Sequence, residues 1–104
     1  MKLSNNTLAS LPENIKKPKY NRNKLSPGIV HIGVGNFHRA HQSWYLHRLF
    51  ETGIDYNWAI VGAGVREFDA SQREKLIKQD CLTTLIELKP TSKSVEIVGS
   101  MIDY

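Results

Sequence analysis

Cysteine is almost missing from this chain. Cys81 is the only one in 104 residues, so neither an internal disulfide nor a cysteine-based zinc site can form. Long apolar runs are missing too. The longest, Trp58 to Val65, is interrupted by Gly62 and Gly64 and falls short of the ~18–20 residues of a membrane span. No apolar signal core follows Met1-Lys2-Leu3-Ser4-Asn5-Asn6. A cytoplasmic protein with no membrane partner is therefore expected. With 40% hydrophobic and 23% charged residues and a mean hydropathy of −0.38, the composition excludes collagen-like, low-complexity and strongly disordered classes. The length allows one small domain at most.

The net charge of +4 is unevenly spread. Residues 1–27 carry six basic groups against Glu13 alone, for +5; residues 28–104 carry eight basic and nine acidic groups, for −1. A basic arm can bind nucleic acid. Here no base-reading motif follows it, and Tyr20 is its only aromatic, so a solvated lead-in with no nucleic-acid partner is expected. Residues 1–27 also hold Pro12, Pro18 and Pro27 and read as an extended segment, with a helical turn near Thr7–Leu11 and a turn at Ser26-Pro27-Gly28.

From Gly28 the pattern changes. Ile29-Val30-His31-Ile32 is a short β-branched run closed by Gly33-Val34-Gly35, the form of a buried strand. Phe37 to Glu51 has helical period, with Phe37, Ala40, Trp44, Tyr45 and Leu49 on one face and Thr52-Gly53 as the stop. Trp58-Ala59-Ile60-Val61 begins a second buried strand. Ser71-Gln72-Arg73-Glu74 has the form of a capping box for a helix to about Lys78. Leu82–Leu88 and Val95–Val98, joined by a polar turn, read as a hairpin. The order strand, helix, strand, helix, hairpin predicts an α/β fold: the N-terminal portion of a Rossmann-type parallel sheet. The division is a lead-in over 1–27 and a partial dinucleotide-binding domain over 28–104.

Gly33-Val34-Gly35 lies where a strand becomes a helix. There the first glycine permits a tight turn, the second lets a diphosphate approach the backbone, and the helix amides face the phosphates. A full fingerprint has glycine where His38 stands. The alternative is a plain sheet-edge turn that needs positive φ. Gly62-Ala63-Gly64 also follows a strand, but its helix begins too late to bring amides close behind it. Asp69 and Glu67 are the acids placed to meet an adenine ribose. Asp69 lies 34 residues past Gly35, where about 20 is usual, and it serves equally well as a helix cap. Arg66 or Phe68 could flank an adenine.

His38 and His41 are spaced to share a metal, yet no carboxylate accompanies them, and no metal is expected. His38 and Arg39 are instead expected to face the phosphates, with His41 packed. Lys75, Lys78 and Tyr45 have the chemistry of acids or bases, but nothing places them near a substrate. They are read as solvated or core side chains.

The segment from Gly28 to Gln42, with Phe37-His38-Arg39-Ala40-His41-Gln42 after the Gly-x-Gly, resembles the polyol-specific long-chain dehydrogenases, the family of mannitol dehydrogenases and fructuronate reductases. The resemblance continues through Trp58–Arg66, Gln79–Leu85 and Val98–Tyr104, and includes Leu11-Pro12 and Pro18-Lys19-Tyr20 in the lead-in. It implies an NAD-dependent oxidoreductase of sugar alcohols or keto-sugars, acting without zinc. The cofactor segment would be Ile29, Val30, His31, Ile32, Gly33, Val34, Gly35, Asn36, Phe37, His38, Arg39 and Ala40. Asp69 would be the acid that favours NAD over NADP; Phe68 stands where some members carry a second acid.

Mannitol oxidation to fructose is the expected reaction. Reduction of fructuronate, oxidation of another polyol or of mannitol 1-phosphate, and a non-catalytic nucleotide-binding role are the alternatives. Family members are several times longer, and their catalytic lysine group lies in a later helical domain. The chain is therefore expected to be an N-terminal piece that stops at a strand-like Met101-Ile102-Asp103-Tyr104, with no catalytic residue of its own and no third parallel unit. The 104 residues alone should not oxidise mannitol; turnover by the purified chain in a NADH absorbance assay would overturn this.

Overall fold

The glycine-bounded apolar runs become neighbouring strands. In the computed structural model, which describes residues 2–104, strand β2 (Pro27–Ile32) lies parallel to β3 (Ala59–Ala63), with Val30 opposite Val61 and Ile32 opposite Ala63. On the far side of β3 lies β6 (Met101–Asp103), also parallel. Met101–Tyr104 reads as strand-like from its sequence, but its place as a third parallel strand was not expected. It is only three residues long and follows a hairpin rather than a helix, so it carries no strand–helix signature. The sheet order is β2-β3-β6.

The hairpin does not extend that sheet. β4 (Thr83–Leu88) and β5 (Lys93–Val98) pair antiparallel, as their alternation predicts, and β5 also takes the two-residue β1 (Ile15–Lys16) in parallel. This second sheet has the order β1-β5-β4. β2 was expected to be buried, but Val30 is 72% and Ile32 63% exposed, while Ile29 packs on the core of Val34, Ile60, Leu76, Cys81 and Met101. Side chains alternate across a strand, and here only one face of β2 is covered.

The single helix expected over Phe37–Glu51 is two. The chain breaks at His41 (φ −121°, ψ −74°), giving α1 (Asn36–Ala40) and α2 (Gln42–Glu51). The buried side of α2 is Ser43, His47 and Phe50; Phe37 and Tyr45 of the expected apolar face are exposed. Polar groups are tolerated inside because they are paired. Ser43 and Ser100 hydroxyls lie 2.8 Å apart, and the Ser100 hydroxyl donates to the Ser43 carbonyl. His47 Nδ1 accepts from the Gly99 amide and meets the Tyr20 hydroxyl at 2.6 Å. An amide can only donate, so the neutral ring carries its proton on Nε2, which faces Glu51 at 3.4 Å and Glu96 at 3.5 Å. Burial still holds His47 below the usual imidazole range, and burial pushes the Tyr20 phenol up.

Helix α3 (Asp69–Lys78) starts two residues earlier than expected, which puts Ser71 inside the helix and not at its cap. It ends in a paired turn: the Asp80 amide donates to the Ile77 carbonyl and the Cys81 amide to the Leu76 carbonyl. Both Asp80 (φ 55°) and Cys81 (φ 59°) are left-handed, a position that usually takes glycine. The lead-in holds them there. The Asn5 amide donates to Asp80 Oδ2, and Arg22 donates to the carbonyls of Asp80 (2.9 Å), Gly99 (3.0 Å) and Met101 (2.6 Å). Residues 2–27 are thus not a solvated arm. Tyr20 and Leu25 are buried with Phe50 and Ala59, and 3₁₀ turns form at Asn5–Ser10 and Arg22–Lys24.

Arg22→Ala strips three carbonyls of a charged donor and should cost about 3 kcal/mol in urea denaturation; a loss below ~1 kcal/mol would contradict this role. For His47 the unfolded chain takes up a proton near pH ~6.5 and the folded chain only at lower pH. Stability should therefore fall as the pH drops below about 6.5. An equal or higher urea midpoint at pH ~5.5 than at ~7.5 would contradict it.

Candidate functional site

The turn after β2 opens the site. Gly33 has φ +90°, and its amide donates to the Ala63 carbonyl at 2.9 Å. Gly35 is extended (φ −103°, ψ −169°) and caps α1. A Cβ added to either would meet no atom of the chain within 4 Å. The second glycine pair differs. A Cβ on Gly62 would come within 2.7 Å of Val34 Cγ2, and one on Gly64 would collide with the Asp69 Cβ. Gly62 and Gly64 thus serve internal packing, and Gly33 serves its positive φ. Gly35 has neither reason; the space a side chain would fill there lies open.

That space is a cleft of about 500 Å³ between the β2–α1 turn and the start of α3. Gly33, Val34, Gly35, Asn36 and Arg39 form one wall. Arg66, Phe68, Asp69, Ser71, Gln72 and Lys75 form the other. Arg39 folds back on its own turn, donating from Nη2 to Asn36 Oδ1 (2.7 Å) and from Nε to the Gly35 carbonyl (3.3 Å). The Arg66 guanidinium lies 4.4 Å from the centroid of the Phe68 ring. Asp69 Oδ2 accepts from the amides of Val65 and Arg66, both at 3.0 Å. Asp69 therefore ties down the loop before α3 and also borders the cleft; it is the first residue of the helix and not its cap, a position that falls to Phe68.

Of the expected cofactor segment, Gly33, Val34, Gly35, Asn36 and Arg39 reach the cleft, with Asp69 opposite. Ile29, Val30, His31 and Ile32 lie back along β2 and only place the turn. Phe37 points outward, and Ala40 borders a neighbouring recess with Asn36, Arg39, Gln79, Thr83 and Thr84. His38 departs from its expected place facing phosphate. It is 3% exposed, stacks on His31 at 3.7 Å and meets Gln42 Oε1 through Nδ1 at 2.9 Å. The strand side chain at 31 offers the ring a flat partner inside the fold. Burial lowers the His38 pKa. His41 packs on Phe37, with ring centroids 4.5 Å apart.

Ser71, Gln72 and Lys75 were missed as site residues. The signal was available: counted from Phe68 they recur at helical spacing and share one side of α3.

With this geometry in place, comparison with known proteins is direct. The profile of the mannitol dehydrogenase Rossmann domain matches residues 27–104. The chain belongs to the mannitol dehydrogenase family. It is 52% identical over 94 residues to a mannitol 2-dehydrogenase of Cereibacter sphaeroides, covering 90% of this chain and 20% of that protein. It is 44% identical over 105 residues to a polyol:NADP oxidoreductase of Gluconobacter oxydans, covering 98% and 21%. Its fold superposes on Pseudomonas fluorescens mannitol 2-dehydrogenase, solved as a ternary complex with NAD and D-mannitol, with a TM-score of 0.95 at 43% identity, covering 99% of this chain and 21% of that one. The mannitol dehydrogenase-family chain thus spans about a fifth of the length of the relatives it matches.

The two glycines of the turn should respond differently to substitution. Gly33→Ala should cost about 1–2 kcal/mol, because its φ disfavours any side chain. Gly35→Ser should leave stability within about 0.5 kcal/mol, because serine suits an extended cap and nothing obstructs it. Equal losses in chemical denaturation would refute the distinction.

Proposed function

We propose that this chain is the dinucleotide-binding part of an NAD-dependent polyol dehydrogenase that oxidises mannitol to fructose. The observation that carries this reading is Gly35. Its missing side chain serves nothing inside the fold, and it stands in the turn between β2 and α1, where the backbone of such a fold meets a diphosphate. The amides at the start of α1 and the Arg39 guanidinium supply positive charge on that wall. Asp69 faces the cleft from the other wall, within reach of an adenosine ribose, while Phe68 and Arg66 offer flat surfaces to a base. NAD, when bound, supplies the hydride acceptor. The residues described here bind and orient it, and none is assigned to proton transfer.

The polyol and its keto-sugar are then the small-molecule partners, and the protein works in the cytoplasm. No helix among the described residues is long and apolar enough to cross a membrane.

The test is Gly35→Val in the full-length product of the reading frame that contains these residues. KM for NAD should rise about tenfold or more, with kcat and the KM for mannitol little changed, because the lost contact is ground-state cofactor binding. An unaltered KM for NAD would place the cofactor elsewhere.

A further inference from the structure

We infer that His38 is a positioning residue for the dinucleotide: stacked on His31, it fixes the exposed half of the glycine turn before a diphosphate arrives. The inference rests on the cofactor reading above and concerns the backbone of that same wall.

The turn is short of anchors. Its first half is held, because Val34 is buried in the core and the Gly33 amide donates to the Ala63 carbonyl. Its second half is Gly35, Asn36 and Phe37, all exposed. Gly35 has no side chain to restrain it, and glycine keeps the widest choice of backbone angles. The Arg39 bonds to Gly35 and Asn36 stay within the segment and do not tie it to the sheet. The helix that follows cannot hold the segment alone. α1 has five residues, the chain bends at His41, and so short a helix has little stability of its own. Its position must come from what it buries, and the residue it buries is His38.

His38 meets the fold with a ring face. Its imidazole centroid lies 3.7 Å from that of His31, with the planes 29° apart. His31 belongs to β2, so the pair clasps strand to helix around the turn between them. Gln42, from α2, fixes the tilt of the ring by meeting Nδ1 at 2.9 Å. His31 Nδ1 and His38 Nε2 are buried and have no partner. An unpaired polar atom inside the fold is a cost, so these nitrogens do not account for two histidines here; the flat faces do. Where the dinucleotide fingerprint has a third glycine to bring helix against strand, this chain has His38 stacked on His31. A turn already set in its bound shape loses less freedom when the diphosphate docks.

The experiment measures NAD affinity by calorimetry on the full-length product, with the urea midpoint of each variant alongside. His38→Leu removes the flat face and should weaken NAD about tenfold, the mark of lost preorganisation. His31→Leu should do the same. Both break one contact, so the double variant should also lose about tenfold and not the product of the two losses. His38→Phe restores a ring face and should bind NAD within about threefold of the unaltered protein. In steady state the leucine variants should raise the KM for NAD and leave the KM for mannitol unchanged. A histidine that serves stability alone would lower the urea midpoint without changing NAD affinity, and that result overturns the inference. So does a phenylalanine variant as weak as the leucine one, or two losses that multiply. Should neither leucine variant fold, Gln42→Ala decides. Gln42 is exposed, so its loss frees the ring while the fold stands. NAD should then weaken about threefold, and unchanged affinity overturns the inference. If Gly35→Val weakens NAD and the variants at 31 and 38 do not, the inference falls and the cofactor site stands. If the unaltered protein binds no NAD, or Gly35→Val leaves its affinity intact, both fall together.

Discussion

One guanidinium ties the molecule together. Arg22 reaches from the lead-in to the carbonyls of Asp80, Gly99 and Met101. Each of these marks a change of direction: the exit from α3, the passage between the two sheets, and the start of β6. Burial works against the charge and lowers the arginine's pKa. Three carbonyls and the Asn5 side chain answer it by accepting from its fixed fork of donors. Because of this residue the left-handed pair Asp80 and Cys81 is held without a glycine, and β6 is positioned beside β3. The burial that lowers the arginine also pushes the Cys81 thiol up to about 11, which keeps it protonated and unreactive.

The cleft depends on that frame. β3 is locked between β2 and β6, so the ends of β2 and β3 stay side by side. Both chains leave the sheet through glycine pairs, and the two pairs divide the work. Gly62 and Gly64 let β3 and the loop before α3 come close to Val34 and Asp69. Gly33 and Gly35 make the turn and leave its outer side bare. One pair brings the walls together and the other keeps the space between them open.

Much of this was legible in the sequence, because hydrophobic period and glycine position are local signals. The strands at Ile29 and Ile60, the hairpin and the glycine turn all follow from them. What escaped was set by distant contacts. The buried side of α2 is polar at Ser43 and His47 because Ser100, Tyr20 and Gly99 supply partners from far along the chain. No periodicity in residues 42–51 could announce this. The same holds for His38, whose stacking partner His31 lies on another element, and for the parallel pairing of Met101–Asp103 with β3. The lead-in read as solvent-facing from its charge, yet one of its cations, Arg22, is the tie described above. Within the site, the turn glycines and Asp69 were legible; the helical spacing of Ser71, Gln72 and Lys75 was there too, but the capping-box reading of Ser71 hid it by starting the helix two residues late.

The contact between Gly64 and Asp69 sets the order in which descendants of this chain can change. A β-carbon at 64 would strike the β-carbon at 69, so the clash persists whatever functional group residue 69 carries, glycine excepted. Position 64 is therefore frozen as glycine whichever side chain stands at 69, while position 69 answers to a separate demand, an acceptor for the amides of Val65 and Arg66.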